Sequence, residues 1–145
     1  MEIKKKSLIV FFDDKKRILL QDRRNHSKFG ENWGFFGGSL EREENFKDAL
    51  VREVKEELDF DLDLSEVNFV DYMDFEIEGI RAINAMFVCP LGDKLKNFVV
   101  LEGSGAELFS IEDAKKLNTV GANKFIHKHV DIILDKIKNF IESKI

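Results

Sequence analysis

Glu53, Glu56 and Glu57 stand on a run of strong helix formers, Asn45 to Leu58. At 100° per residue a helix gathers all three into an arc of about 100°, with Glu53 one turn from both Glu56 and Glu57. Leu50, Val54 and Leu58 take the adjacent arc and must face a core. Three carboxylates beside an apolar seam repel each other, by a few tenths of a kcal/mol per exposed pair and by more once desolvated. A hard divalent cation converts that cost into binding, and clustered carboxylate oxygens suit Mg²⁺ or Mn²⁺. Arg52, next along the helix, can orient a glutamate through a bidentate pair. Gly37-Gly38 upstream allows a tight loop that exposes backbone carbonyls near the helix start. A solvated acidic helix face is the other reading of the three glutamates alone. The ordered spacing of glycine, glutamate and arginine from Gly38 to Phe60 is what favours a metal site.

The elements that must position this helix are short and mixed. Ser7 to Phe12 is β-rich, Asp13-Asp14-Lys15-Lys16 is a polar turn, and Arg17 to Arg23 reads as the partner strand of a hairpin. Asn25 to Asn32 is a polar loop, and Trp33 to Gly38 is aromatic and punctuated by glycine. Val67 to Ile77 and Arg81 to Cys89 read as two strands turning at Glu78-Gly79. Short strands are expected at Phe98 to Leu101 and at Glu107 to Phe109. Ser110 is an N-cap candidate for a short helix over Ile111 to Leu117, and Asn123 to Ile141 reads as the last helix. His127 and His129, two residues apart on that helix, point in different directions and do not form a metal pair. Hairpins mixed with two or three helices give an α/β (α+β) sandwich.

At 145 residues the chain is expected to form one domain, 1–145, without linker, repeat or low-complexity tract. No apolar run approaches the ~20 residues of a membrane helix, and the start of the chain lacks the pattern of a signal peptide. The net charge of −5 argues against nucleic-acid polymers as partners, which want a basic face, but not against small phosphorylated ligands, because a metal can supply positive charge locally. Cys89 is the only cysteine, so no internal disulfide forms, and a cytoplasmic location is expected. Its strand-like surroundings read as those of a buried structural thiol.

The segment Gly38 to Phe60 resembles the Nudix hydrolase signature, G-x5-E-x7-R-E-U-x-E-E-x-G-U, where U is a bulky aliphatic or aromatic residue. Gly38, Glu44, Arg52-Glu53, Val54, Glu56-Glu57 and Phe60 match in order. Asp59 stands where the family has glycine. That position ends the helix in a left-handed conformation, which Asp tolerates better than most residues. The resemblance implies the Nudix fold, a mixed β-sheet sandwiched between α-helices. It also implies Mg²⁺-dependent (or Mn²⁺-dependent) attack of water on a nucleoside diphosphate linked to another group. It gives Glu53, Glu56 and Glu57, with the Gly37 carbonyl, the role of metal ligands, and gives Glu53 that of base or water-orienting group. Glu44 and Arg52 complete the catalytic set.

Weaker resemblances outside this box point toward MutT-like nucleoside triphosphate pyrophosphohydrolases. Trp33 to Gly38 has their aromatic-x-Gly-Gly approach, with Phe36 in place of proline, and places Phe35 with the substrate. Ala106 to Ser110 is similar to a segment whose glutamate, here Glu107, reaches the metal. Gly121-Ala122-Asn123 is similar to a segment whose asparagine reads a purine edge, and Arg23 falls where an arginine lies near the nucleotide. Each has a plainer alternative: core or loop packing for Phe35, a solvated strand residue for Glu107, an N-cap for Asn123 and a surface charge for Arg23. No proline follows the box at the spacing of ADP-ribose hydrolases, and Ile77 stands where dinucleoside polyphosphate hydrolases carry tyrosine. The expected reaction is hydrolysis of a (d)NTP, or of an oxidised purine (d)NTP, to NMP and pyrophosphate by a monomer or homodimer. Nucleotide sugars, dinucleoside polyphosphates and a non-hydrolytic nucleotide sensor are the alternatives.

Overall fold

A computed structural model describes residues 1–25, 32–117 and 124–143. The strands are β1 (Glu2–Phe12), β2 (Ile18–Asp22), β3 (Trp33–Gly34), β4 (Phe36–Ser39), β5 (Asn68–Ile77), β6 (Ile80–Pro90) and β7 (Ala106–Phe109). The helices are α1 (Phe46–Leu58), α2 (Ile111–Leu117) and α3 (Lys124–Ser143). All seven strands belong to one mixed sheet, ordered β3-β2-β1-β6-β5, with β4 also on β1 and β7 also on β2.

β1 is the axis of this sheet. It runs parallel to β6 along its whole length, from Glu2 opposite Ile80 to Phe12 opposite Pro90. It pairs antiparallel with β4 through Lys6↔Ser39, Ser7↔Gly38, Leu8↔Gly37 and Ile9↔Phe36. A strand covered on both faces reads as a continuous apolar run, and Leu8 to Phe12 and Ala85 to Cys89 are such runs. Alternation then divides them. Ile9, Phe11, Ala85, Phe87 and Cys89 join Leu50, Val54 and Leu58 of α1 in one core. Val10, Met86 and Val88 join Ile133, Leu134, Ile137 and Ile141 of α3 in the other. The α/β sandwich read from the sequence is the fold observed. Among the described residues no helix is long and apolar enough to cross a membrane.

One expected strand is absent. Phe98 to Leu101 is extended but pairs with no strand. Its Val99 and Leu101 N–H groups donate to the carbonyls of Leu58 (2.9 Å) and Glu57 (2.7 Å). The last carbonyls of a helix have no partner within the helix, so an extended chain passing its end can bond there as readily as to a sheet. Phe98 anchors the segment against Phe11 and Phe60, with ring centroids 5.0 and 4.9 Å away. Cys89 is the buried thiol expected, its pKa pushed up to about 11 by burial.

Candidate active site

α1 begins and ends as its sequence dictates. Asn45 caps the first turn, its side chain accepting the Asp48 N–H at 2.8 Å. Asp59 closes the last turn at φ 48°, ψ 43°, the left-handed conformation, with its N–H on the Lys55 carbonyl. Leu50, Val54 and Leu58 have no exposed surface, which fixes the rotation of the helix. The acidic arc is thereby turned toward β4.

The two glycines of β4, expected from the sequence to form a loop, are strand residues with different tasks. Gly37 has φ +127°, and a Cβ there would lie 2.0 Å from the Ser7 carbonyl oxygen. At Gly38 a Cβ would lie 2.5 Å from the Glu53 carboxyl carbon. The first glycine of the signature therefore makes room for the first glutamate of the helical triad.

Arg52 organises the exposed side of the arc. Its Nε and Nη2 donate to the two oxygens of Glu44 at 2.7 and 2.9 Å, a bidentate pair. Nη2 also donates to the Ser39 carbonyl at 2.9 Å, and Nη1 donates to Glu53 at 3.0 Å and Glu56 at 3.3 Å. Glu44 in turn accepts the Glu41 N–H at 2.8 Å. The Arg52 guanidinium, and then this N–H, hold the Glu44 carboxyl at a pKa of about 2.

Glu57 lies in the opposite environment. It is 3% exposed. Its carboxylate accepts the Gly37 N–H at 2.8 Å. Burial pushes its pKa up to about 8, against the pull of that N–H, and the charges of Glu53 and Glu102 push the same way. Arg23 pulls it back, which puts the Arg23 guanidinium within electrostatic reach of Glu57. Burial also raises Glu53, opposed by Arg52 and assisted by Glu56 and Glu102. Oxygen donors are thus crowded at one end of the arc with too little positive charge. That is the donor chemistry of a hard divalent cation. Among the described residues no three acidic, His or Cys side chains are already converged as a metal cage. Glu53 and Glu56 are turned to Arg52, and Glu57 to the Gly37 N–H.

The residues expected from outside the box separate. Arg23 comes to the site: its chain lies over Gly34, where a Cβ would come 2.6 Å from the Arg23 Cδ, and its Nη1 donates to Gln21 at 3.0 Å. Glu107 does not join the cluster. It pairs with Leu20, whose side chain belongs to the α3 face, while its neighbour Leu108 packs on the α1 face. Strand alternation therefore turns Glu107 away from α1, and its charge acts on Arg24. From beyond the box it is the charge of Glu102 that reaches both Glu53 and Glu57. The sequence reading missed it because it lies in the bends before β7, where no periodicity assigns a face. The glycines that follow, Gly103 and Gly105, were the available signal of a shaped loop. Phe35 packs with Trp33 against the α3-side core, across the sheet from α1. Asn123 lies outside the described residues.

A family model described as the NUDIX domain matches residues 4–129. The E. coli ORF135 protein is 26% identical over 80% of this chain and 79% of its own, with a TM-score of 0.64. The E. coli dihydroneopterin triphosphate pyrophosphohydrolase is 23% identical over 99% of both chains, with a TM-score of 0.68. The MutT protein from Methanosarcina mazei Go1 is 17% identical over 95% of this chain and 94% of its own, with a TM-score of 0.68. A search of curated proteins gives no match.

Proposed function

The chain belongs to the Nudix domain family, and from that premise we propose that it is a divalent-metal-dependent nucleotide pyrophosphohydrolase, formed as one domain over residues 1–145. The observation that carries the proposal is the buried Glu57 carboxylate, set beside Glu53 and within reach of Glu102, with burial and these charges outweighing the Gly37 N–H and Arg23. A family fold alone is compatible with loss of activity. Retention of Glu44, Arg52, Glu53, Glu56 and Glu57 together with this burial favours hydrolysis over nucleotide sensing.

Glu53, Glu56 and Glu57, with the Gly37 carbonyl, are the residues that would hold Mg²⁺ or Mn²⁺, and Glu102 takes the part first expected of Glu107. The metal would neutralise charge on the phosphoryl oxygens and acidify the attacking water. Arg52 steers the Glu53 carboxylate, which accepts the proton of that water. Arg23, within electrostatic reach of Glu57, would meet the negative phosphates. The preferred substrate class is a (d)NTP, an oxidised purine (d)NTP among them, cleaved to NMP and pyrophosphate. The fold likenesses to a MutT protein and to a pyrophosphohydrolase named for dihydroneopterin triphosphate support a triphosphate. Another neighbour, a C. elegans Ap4A hydrolase, keeps dinucleoside polyphosphates as the second reading. Asn123 remains the proposed reader of a purine edge, and Phe35 contributes packing beside the base. The single buried thiol fits a cytoplasmic location.

A panel of (d)NTPs, 8-oxo-dGTP, nucleotide sugars and dinucleoside polyphosphates with Mg²⁺, its products separated by chromatography, tests the proposal. NMP and pyrophosphate from a triphosphate are expected, with no turnover in excess chelator. Chelator-resistant hydrolysis, or none on any substrate with Mg²⁺ or Mn²⁺, refutes it.

A further inference from the structure

Gln21 has no exposed surface, and both ends of its amide are engaged. Its Nε2 donates to the Glu102 carbonyl at 3.0 Å, across 81 residues of chain. Its Oε1 accepts the Arg23 Nη1 at 3.0 Å. The loop of Glu102 is seated directly on it. A Cβ on Gly103 would lie 2.6 Å from the Asp22 carbonyl oxygen and 3.0 Å from the Gln21 Cγ. Ser104 N–H donates to the Asp22 carbonyl, and Asp22 N–H to that of Gly105, both at 2.9 Å. On its other side the loop is tied to α1 by the Leu101 N–H on the Glu57 carbonyl, at 2.7 Å.

We infer that Gln21 is a positioning residue that holds the Arg23 guanidinium and the backbone of the loop carrying Glu102 in one fixed relation beside Glu57, to whose carbonyl the same loop is tied. The phosphate-facing cation and the acid beyond the box then act as a single unit. Packing alone would be met by Leu or Met at this position. An amide is required only if its two ends must select orientations, and here the oxygen end selects the Arg23 guanidinium and the nitrogen end the backbone of the loop that carries Glu102. A side chain that orients ligands from behind typically carries a ten- to hundredfold effect on affinity.

The inference rests on the hydrolase reading for its substrate half but not for its metal half. Mn²⁺ binding, followed by electron paramagnetic resonance without nucleotide, is therefore measured first for the wild type, Gln21→Met, Glu102→Gln and the double variant. Gln21→Met should weaken Mn²⁺ about tenfold. In the Glu102→Gln background the same change should cost less than about twofold, because coupled residues are not additive. Gly103→Ala keeps the Gln21 amide but sets a Cβ against the Asp22 carbonyl oxygen, which pushes the loop away. It should reproduce the Mn²⁺ loss while leaving KM for the nucleotide near wild type, whereas Gln21→Met should raise KM as well. It also serves if Gln21→Met fails to fold. Wild-type Mn²⁺ affinity in Gln21→Met, or in Gly103→Ala if that variant alone folds, overturns the inference. So do losses that simply multiply with that of Glu102→Gln. A wild type that binds Mn²⁺ but hydrolyses no nucleotide refutes the proposed function and leaves the Mn²⁺ comparison to decide on Gln21.

Discussion

The acidic arc of α1 has a compensated end and an uncompensated one. Toward Glu44, Arg52 satisfies every carboxylate it reaches through charge-assisted hydrogen bonds, and Glu44 titrates far below an ordinary glutamate. Toward Glu57, burial and neighbouring carboxylates dominate, and the same residue type titrates near 8. The same chemistry carries stability at one end and strain at the other. A fold optimised for stability alone would have neutralised both ends. Leaving Glu57 buried with too little positive charge around it is sensible where a metal ion is to enter.

Neutralising one acid at each end is the strongest way to break this comparison. Glu57→Gln keeps the acceptor for the Gly37 N–H and removes the charge. It should lower kcat at least ~100-fold, the scale of a lost positioned group, yet leave the metal-free melting temperature at pH 9 higher than wild type. Glu44→Gln should lower the melting temperature and cost activity only through the freed Arg52. Steady-state kinetics and circular dichroism melts on both variants check this. If both lose stability and both retain turnover, the two ends do not differ.

The pH dependence sharpens the same contrast. The Glu57 pKa is raised in the folded chain, from 4.5 to about 8. Between those values the folded chain holds more protons than the unfolded one, so metal-free stability falls as pH rises, by at most ~1.4 kcal/mol per pH unit. The slope fades above about pH 8. Glu44 has the opposite sign: its contribution is present above 4.5 and is lost as pH falls toward about 2. Urea titrations from pH 5 to 9 should show the decline in the wild type. Glu57→Gln should flatten it, and added Mg²⁺ should reverse it. A flat metal-free profile in the wild type would contradict the burial of a charged Glu57.

The smallest effect lies just past the uncompensated end. Asp59 holds a left-handed conformation that glycine adopts without strain. Asp59→Gly also loses an exposed ion pair with Lys55, worth little. The net expectation is ~0.5 kcal/mol of added stability, or a melting point higher by about 1–2 °C, with kcat unchanged. A destabilised variant would mean that the Lys55 pair outweighs the backbone strain.

Much of this site was legible before any fold was known, because a helix is a local object. Residue spacing alone places Glu53, Glu56 and Glu57 on one face with Leu50, Val54 and Leu58 beside them, and Asp59 marks the end of the helix. The alternating cores of β1 and β6 were equally readable as continuous apolar runs. Phe98 to Leu101 was not. Its composition suits a strand, but its hydrogen bonds go to whichever acceptors lie alongside, and these are the last carbonyls of α1.

Sequence by itself determined which residue types the site contains and the order in which α1 presents them, since 3.6 residues per turn need no partner to act. Tertiary structure alone decided their electrical state and their company. Burial against β4 separates Glu57 from Glu56, although they are adjacent in the chain. Pairing of β7 with β2 turns Glu107 to the far face, and a loop seated on Gln21 brings Glu102 in its place. Desolvation and strand register depend on segments far apart in the chain, so no local pattern of residues records them.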